Sequence, residues 1–289
     1  MRILITGATG RVGRKLVRKL FEKHEVVITS SQENPFTNLK NILYIKADLT
    51  IVQEVENLLK EVKPEVVIHL AGVMGQVCED YHKLAEKVNV EATKMLGSFA
   101  IQCGVKKFIF SSSAAVYPRN SIDPLHEKDV GPYSYYGKSK LKAEKELEEI
   151  ASKGSMQVIV LRLFNIYGES FQDSLVTKLQ NSQKESNPIP LYNPERFIRD
   201  YIHIDDVVRA FELALFYDLE KQFSVFNIGS GLGLSTSNLL SLFRKEGINP
   251  NVRVIQSNLD STNIVANIDS TSKFLKFGTR RKIKDFISP

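Results

Sequence analysis

The sequence predicts an α/β protein, a doubly wound parallel sheet with a small mixed α/β lobe toward the C-terminal end. Three observations carry this. Apolar strand-like runs alternate with helix-spaced runs through the first 163 residues. The strands are apolar almost without interruption, as expected where helices cover both faces of a parallel sheet. A glycine-rich turn joins the first strand to the first helix, at Gly7-Ala8-Thr9-Gly10-Arg11-Val12-Gly13.

Taken in order, Arg2–Thr6 is a short apolar strand, and Val12, Leu16, Val17, Leu20 and Phe21 recur at helical spacing. Glu25–Thr29 and Asn41–Ala47 are the second and third strands, the latter ending at Asp48. Val52–Val62 reads as a helix and Glu65–Ala71 as the fourth strand. Leu84–Cys103 reads as one long helix closed by Gly104. Lys107–Ser112 is a strand, Tyr136–Ser152 a helix rich in Lys and Glu, and Gln157–Leu163 the sixth strand. Beyond it, 169–196 carries Pro188, Pro190 and Pro194 and reads as one helix and a long loop. Asp205–Phe216 is a helix, Ser224–Ile228 a strand and Leu234–Glu246 a helix. The expected division is 1–168 plus 200–229 for one domain and 169–199 plus 230–289 for the lobe.

The chain has 289 residues, 43% of them hydrophobic, which is enough for a sizeable core and argues against disorder. Cys78 and Cys103 are too few for a disulfide framework, lack CxxC spacing, and read as reduced thiols of a cytoplasmic protein. No stretch approaches a membrane span or a signal peptide. His24, His82 and His126 have no carboxylate or cysteine at metal spacing, so no metal is expected, and His69, inside an apolar strand, reads as a core histidine. The net charge is +6, of which the segment Lys273–Pro289 carries +5 through six basic residues against Asp285. That tail reads as a solvated terminus rather than a nucleic-acid patch.

Two constellations carry chemistry. The glycine turn follows a strand and opens a helix, so its backbone allows close approach of a pyrophosphate to free helix N–H groups. Tyr136 and Lys140 lie four residues apart on one helix face. An ammonium beside a phenol favours the phenolate, and such a tyrosine can exchange protons. Tyr136 follows the strand ending in Ser111-Ser112-Ser113, and ligands of parallel sheets sit beyond strand carboxyl ends. Tyr217 and Lys221 share the spacing without that context and read as a solvated helix end.

Further motifs complete an ordered set: Asp48-Leu49, His69-Leu70-Ala71-Gly72, Asn89, Ser111–Tyr117, Tyr136–Lys140, Arg162–Gly168, Arg199–Asp206 and Phe226–Gly231. Together they resemble the extended short-chain dehydrogenase/reductases, specifically the nucleotide-sugar epimerase/dehydratase group. The resemblance implies a Rossmann-type fold. It implies Ser113, Tyr136 and Lys140 as catalytic residues, Tyr136 being the acid/base. It implies a nicotinamide dinucleotide held by Gly7, Thr9, Gly10, Arg11, Val12, Gly13, Ser30, Ser31, Asp48, Leu49, Leu70, Ala71, Gly72, Asn89, Ser111, Tyr136, Lys140 and Phe164. Ser113, Tyr136, Asn165 and Arg199 would contact a nucleotide-sugar, with Arg199 on its diphosphate. His203 and Asp205 would stabilise the fold, and a homodimer is usual for such chains.

Three departures narrow the expectation. Ser113-Ala114-Ala115 stands where dehydratases of the group carry an acidic pair, so dehydration is not expected. Thr29-Ser30-Ser31 stands where NAD users place an acid, which favours NADP over NAD; Arg11 or Lys40 would neutralise a 2′-phosphate. No arginine appears in Gln256–Asp260, where the epimerases have a second diphosphate ligand, though Arg253 is nearby. The favoured expectation is a 4-ketoreductase of a nucleotide-4-keto-6-deoxyhexose in surface-polysaccharide precursor synthesis. The alternatives are a C4-epimerase with bound NAD and, from another class, a dinucleotide sensor or nucleic-acid binder on the same fold.

Overall fold

The computed structural model describes residues 1–31, 33, 36, 42–184, 186–218, 221–258 and 262–287. Lys40, Leu259 and Asp260, used in the sequence reading, lie outside these residues. The chain forms two compact units, the first made of Met1–Val116, Pro132–Arg162 and Ala210–Phe226, the second of Tyr117–Gly131, Leu163–Arg209 and Asn227–Pro289.

The first unit carries the parallel sheet. Its elements are β1 (Arg2–Thr6), α1 (Arg11–Leu20), β2 (Glu25–Ser30), β3 (Ile42–Lys46), α2 (Val52–Val62), β4 (Val66–His69), α3 (Gln76–Asp80), α4 (His82–Ala85), a π-helical turn (Glu86–Glu91), α5 (Ala92–Gln102), β5 (Lys107–Ser113) and α6 (Tyr135–Ala151). β6 (Gln157–Leu163), the later part of α8 (Ile204–Phe216) and most of β10 (Phe223–Ile228) complete it. The strand order is β10-β6-β5-β4-β1-β2-β3. The chain winds outward from β1 to β2 and β3, then returns to place β4 on the other side of β1. That reversal leaves a crevice beyond the carboxyl ends of β1 and β4, the position where open α/β sheets bind ligands.

The predicted apolar spacing explains the packing. Val55, Leu58, Leu59 and Val62 of α2, Leu96 and Ala100 of α5, and Ala143, Leu147 and Ile150 of α6 bury against Leu4, Val27, Val67, Phe108, Phe110, Val158 and Val160 of the strands. Each large aliphatic or aromatic side chain so buried contributes roughly 1.5–3 kcal/mol. α5 and α6 approach closely at Gly97, where an added Cβ would stand 2.8 Å from Leu147 Cδ2. Lys107 is buried, and its Nζ donates to the carbonyls of Leu215 (2.8 Å) and Tyr217 (2.7 Å), closing the C-terminal end of α8.

The second unit holds a small sheet of β11 (Gly233–Ser235), β9 (Phe197–His203) and β13 (Thr262–Ile264), with β7 (Asn165–Tyr167) paired to β9. β8 (Ile189–Tyr192) pairs in parallel with β12 (Val252–Ile255). α7 (Leu175–Asn181) and α9 (Thr236–Lys245) pack through Val176, Leu179, Leu239, Leu240 and Phe243. Asp200, fully buried, accepts from the backbone N–H of Ser230 (2.6 Å), Gly231 (2.9 Å) and Ala266 (3.2 Å).

Four readings change. The expected helix 84–103 is α4, a π turn and α5, because an extra residue per turn at 86–91 is invisible to a 3.6-residue apolar pattern. Residues 117–131, 163–168, 200–209 and 227–229, read with the larger domain, group with the second unit. The stretch 169–196 contains β8 as well as a helix. The basic tail is anchored rather than loose. Asp206 accepts the N–H groups of Arg280 (3.0 Å) and Arg281 (2.9 Å), and Ile287 of the terminal helix (Ile283–Ile287) is buried in the core of the second unit. The tail's lysine and arginine side chains stay exposed.

Candidate active site

The site is built at the carboxyl ends of β1, β4 and β5 and the first turns of α6, all in the first unit. Gly7 sits at φ +66°, and a Cβ there would stand 2.5 Å from the Ala71 nitrogen. A Cβ on Gly13 would stand 2.5 Å from the Gly7 oxygen. The turn therefore needs glycine at both places, and it closes with Gly10 N–H donating to Gly7 C=O (3.0 Å). The N-cap position of α1, Gly10, has no side-chain cap, which leaves backbone N–H groups open to an anion. Thr9, Arg11 and Val12 lie on this turn, with Arg11 exposed. At the end of β2, Thr29 Oγ1 is buried without a hydrogen-bond partner among the described residues, followed by Ser30 and the exposed Ser31. Asp48 holds Thr50 through its backbone N–H (2.9 Å) and hydroxyl (2.8 Å), which pulls the carboxyl below its ordinary range. Leu49 packs partly against the core. A turn this tight, which a Cβ at Gly7 or Gly13 would break against neighbouring backbone, together with the uncapped start of α1 and the exposed Ser31 at the β2 end, fits a dinucleotide.

Beyond β4, Leu70 N–H donates to Thr6 C=O (3.2 Å), and Ala71 N–H to the Thr6 hydroxyl (3.3 Å). Gly72 lies under Asn89, whose Oδ1 accepts Val73 N–H (2.8 Å). His69 is fully buried between Thr6 (2.7 Å) and Thr93 (2.9 Å), a satisfied core histidine, and burial followed by the Lys140 charge drops its pKa to about 3.

α6 begins at the N-cap Ser134, whose hydroxyl accepts Gly137 N–H (3.0 Å). Gly137 permits this start, since a Cβ there would overlap Ala115 O. β5 and α6 bring Ser113 close enough to the Tyr136 phenol to favour its ionisation, against the larger opposing effect of burial. Lys140 is buried, donates to Ser111 C=O (2.9 Å), and lies 4.7 Å above the Phe110 ring. Burial lowers its pKa to about 8 and raises that of Tyr136 to about 12. The expected lowering of the phenol by Lys140 is not seen, because the ammonium points to the Ser111 carbonyl and desolvation dominates.

Sequence reasoning missed what holds α6 in place. Glu144, one turn beyond Lys140, is buried and accepts from Arg162 Nε (3.0 Å) and Nη2 (2.6 Å) and from the Ser112 hydroxyl. The Lys140-to-Glu144 spacing was the available signal.

Three expected residues lie in the second unit. Phe164 is buried 5.9 Å from the Tyr117 ring. Asn165 Nδ2 donates to Asp200 C=O (3.2 Å), and Arg199 Nη1 donates to the carbonyls of Ile198 (2.8 Å) and Thr262 (3.2 Å). His203 is buried and its Nδ1 accepts Asp205 N–H (3.2 Å), a structural arrangement. Arg253 is exposed on β12.

A model of the NAD dependent epimerase/dehydratase family matches residues 3–229. A UDP-glucose 4-epimerase of Mycoplasma genitalium is 27% identical, over 99% of this chain and 94% of its own. A dTDP-4-dehydro-6-deoxyglucose reductase of Escherichia coli is 27% identical, over 82% of this chain and 79% of its own. Among solved structures, MoeE5 in complex with UDP-glucuronic acid and NAD is similar with a TM-score of 0.87 and 27% identity, covering 99% of this chain and 96% of that one. No helix among the described residues is long and apolar enough to cross a membrane.

Proposed function

The chain belongs to the NAD dependent epimerase/dehydratase family, and on that premise we propose that it exchanges hydride and proton at C4 of a nucleotide-linked hexose as a C4-epimerase. The observation that carries the reading is the convergence of Ser113, Tyr136 and Lys140 beside a glycine cradle at the sheet's switch point. The nicotinamide dinucleotide, when bound, supplies the acceptor and donor of hydride. Gly7, Gly10 and Gly13 would admit its diphosphate, and Ser30, Ser31, Asp48 and Leu49 its adenosine side.

In oxidation of the 4-hydroxyl, C4 loses hydride and the oxygen loses its proton to Tyr136, which must first be in its phenolate form. In the return step the 4-keto carbon regains hydride on its opposite face, and Tyr136 gives the proton back to the oxygen, which inverts C4. Ser113 hydrogen-bonds the reacting oxygen, and the nearby ammonium of Lys140 favours charge developing there. Arg199, in the second unit, carries a guanidinium fork of the kind that pairs with a diphosphate.

A second reading, reduction of a nucleotide-4-keto-6-deoxyhexose with NADPH, has two observations in its favour. The β2 end presents Ser30 and Ser31, after the buried Thr29, without a carboxylate, and Tyr136, raised to about 12, is a proton donor at neutral pH. The epimerase and the reductase among the relatives support the two readings respectively. A cytoplasmic homodimer fits either. The deciding experiment denatures the purified chain, identifies any released dinucleotide by mass, and titrates the apo form with NADH and NADPH. Stoichiometric retained NAD, with inversion of a UDP-hexose at C4, supports the epimerase. An empty site preferring NADPH supports the reductase, and no dinucleotide binding refutes both.

A further inference from the structure

A row of buried polar groups runs beneath the candidate site, from the end of β4 to the first turn of α6. Thr6, His69, Thr93, Asn89 and Ser139 are all 2% exposed or less. Their hydrogen bonds fix one another's direction. Ser139 Oγ donates to Tyr136 C=O (2.8 Å), which can only accept. Ser139 therefore accepts from Asn89 Nδ2 (3.0 Å), and the amide's orientation is set independently by Val73 N–H on Oδ1 (2.8 Å). Thr93 Oγ1 donates to Asn89 C=O (2.8 Å), so toward His69 Nε2 (2.9 Å) it can only accept. Nε2 must then carry the proton. In the neutral ring Nδ1 is an acceptor, and the Thr6 hydroxyl donates to it at 2.7 Å. Thr6 in turn accepts Ala71 N–H (3.3 Å).

We propose that His69 is a positioning residue, a neutral Nε2–H imidazole that orients a one-way hydrogen-bond chain from the Ala71 backbone to Thr93 and so fixes Asn89, Ser139 and the α6 turn bearing Tyr136. A protonated His69 would place a second donor against Thr6, whose oxygen already receives Ala71 N–H. The groups facing the ring are Thr6, Thr93, the Phe108 and Phe110 rings (5.9 and 5.7 Å) and the Lys140 charge; no carboxylate is among them, and burial and the Lys140 charge disfavour an imidazolium. The π turn at 86–91 carries Asn89 on this row, in keeping with such turns at functional sites.

The positioning role rests on the reading of Tyr136 as acid/base, but its test does not need turnover. In the full chain labelled with ¹⁵N-histidine, His69 is assigned by its loss in His69→Gln. It is expected to show a proton on Nε2, a bare Nδ1, and no titration between pH 5 and 8. A proton on Nδ1, or a midpoint in that range, overturns the assignment. In chain labelled with ring-¹³C tyrosine, with Tyr136 identified through Tyr136→Phe, Thr93→Val is expected to move the Tyr136 signal. Val55→Ala, a core change away from the row, is expected to leave it in place while lowering the melting temperature. A Tyr136 signal unmoved by Thr93→Val, or moved equally by Val55→Ala, refutes the positioning role. An inactive wild-type chain with the expected spectra refutes the epimerase and reductase readings instead.

Discussion

Removing Glu144 tests what fastens α6. The carboxylate is 3% exposed, as is its partner Arg162, and the two meet through Nε–Oε1 at 3.0 Å and Nη2–Oε2 at 2.6 Å. Withdrawing one partner of such a pair leaves a charge in low dielectric and costs about 3–5 kcal/mol. Glu144→Leu is therefore expected to lose that much, seen as a fall in melting temperature of roughly 10 °C. Glu144→Leu combined with Arg162→Met removes both charges and keeps the volume, and is expected to recover to within about 1 kcal/mol of wild type. The assay is denaturant unfolding of the four proteins as a double-mutant cycle. The variant also has a chemical readout. The Glu144 charge raises the Lys140 pKa, so its loss should move that amine further below about 8. A single variant costing under about 1 kcal/mol, or a double variant costing the sum of the singles, would refute the argument.

Four other outcomes follow from the same geometry. Tyr136→Phe should abolish turnover while leaving the dinucleotide dissociation constant within about threefold, since the ring and helix remain; substantial turnover would remove Tyr136 as the acid/base. Gly7→Ala should abolish dinucleotide binding and cost at least roughly 1–2 kcal/mol, from the φ of +66° and the 2.5 Å approach to Ala71, as measured by titration and melting. Lys140 has its folded pKa lowered from 10.5 to about 8, so the unfolded chain binds more protons between those values and stability from this group rises across that window. Lys140→Met should flatten that rise in unfolding curves taken from pH 8 to 10.5. Asp206→Asn should free the segment around Arg280, which will then be cut faster by trypsin at its exposed lysines and arginines.

The parts legible in the sequence were those encoded locally. The glycine turn reads correctly because a strand, three glycines and a helix are contiguous. The strand Gln157–Leu163 matches residue for residue because its apolar run has sharp polar boundaries. Ser113 and Tyr136 come near each other across an intervening segment of 21 residues because the end of β5 and the start of α6 lie together in the first unit. What stayed hidden depends on distant pairing. Glu144 reads as one more charge on a Lys/Glu-rich helix until β6 places Arg162 against it. The π turn leaves the apolar spacing nearly intact. The tail reads as solvated because its charges dominate its composition, whereas Asp206 holds it by backbone N–H groups that no composition reports. The direction of the Tyr136 shift was missed because desolvation is a property of the packed site.

The first unit is assembled from three stretches of chain, and the last of them ends at Phe226. A ribosome that has finished β6 has made a sheet whose outer edge is still bare. Its covering strand, β10, begins at Phe223, about 60 residues later, an interval of roughly 3–12 s of synthesis. During it β6 presents unpaired backbone groups beside apolar side chains, a template for pairing with a neighbouring nascent chain. Lys107 waits as well, since the carbonyls that receive its ammonium belong to residues 214–217. Vectorial folding of this chain therefore has a vulnerable period between β6 and β10, and a product truncated within it would be a natural client for a holding chaperone.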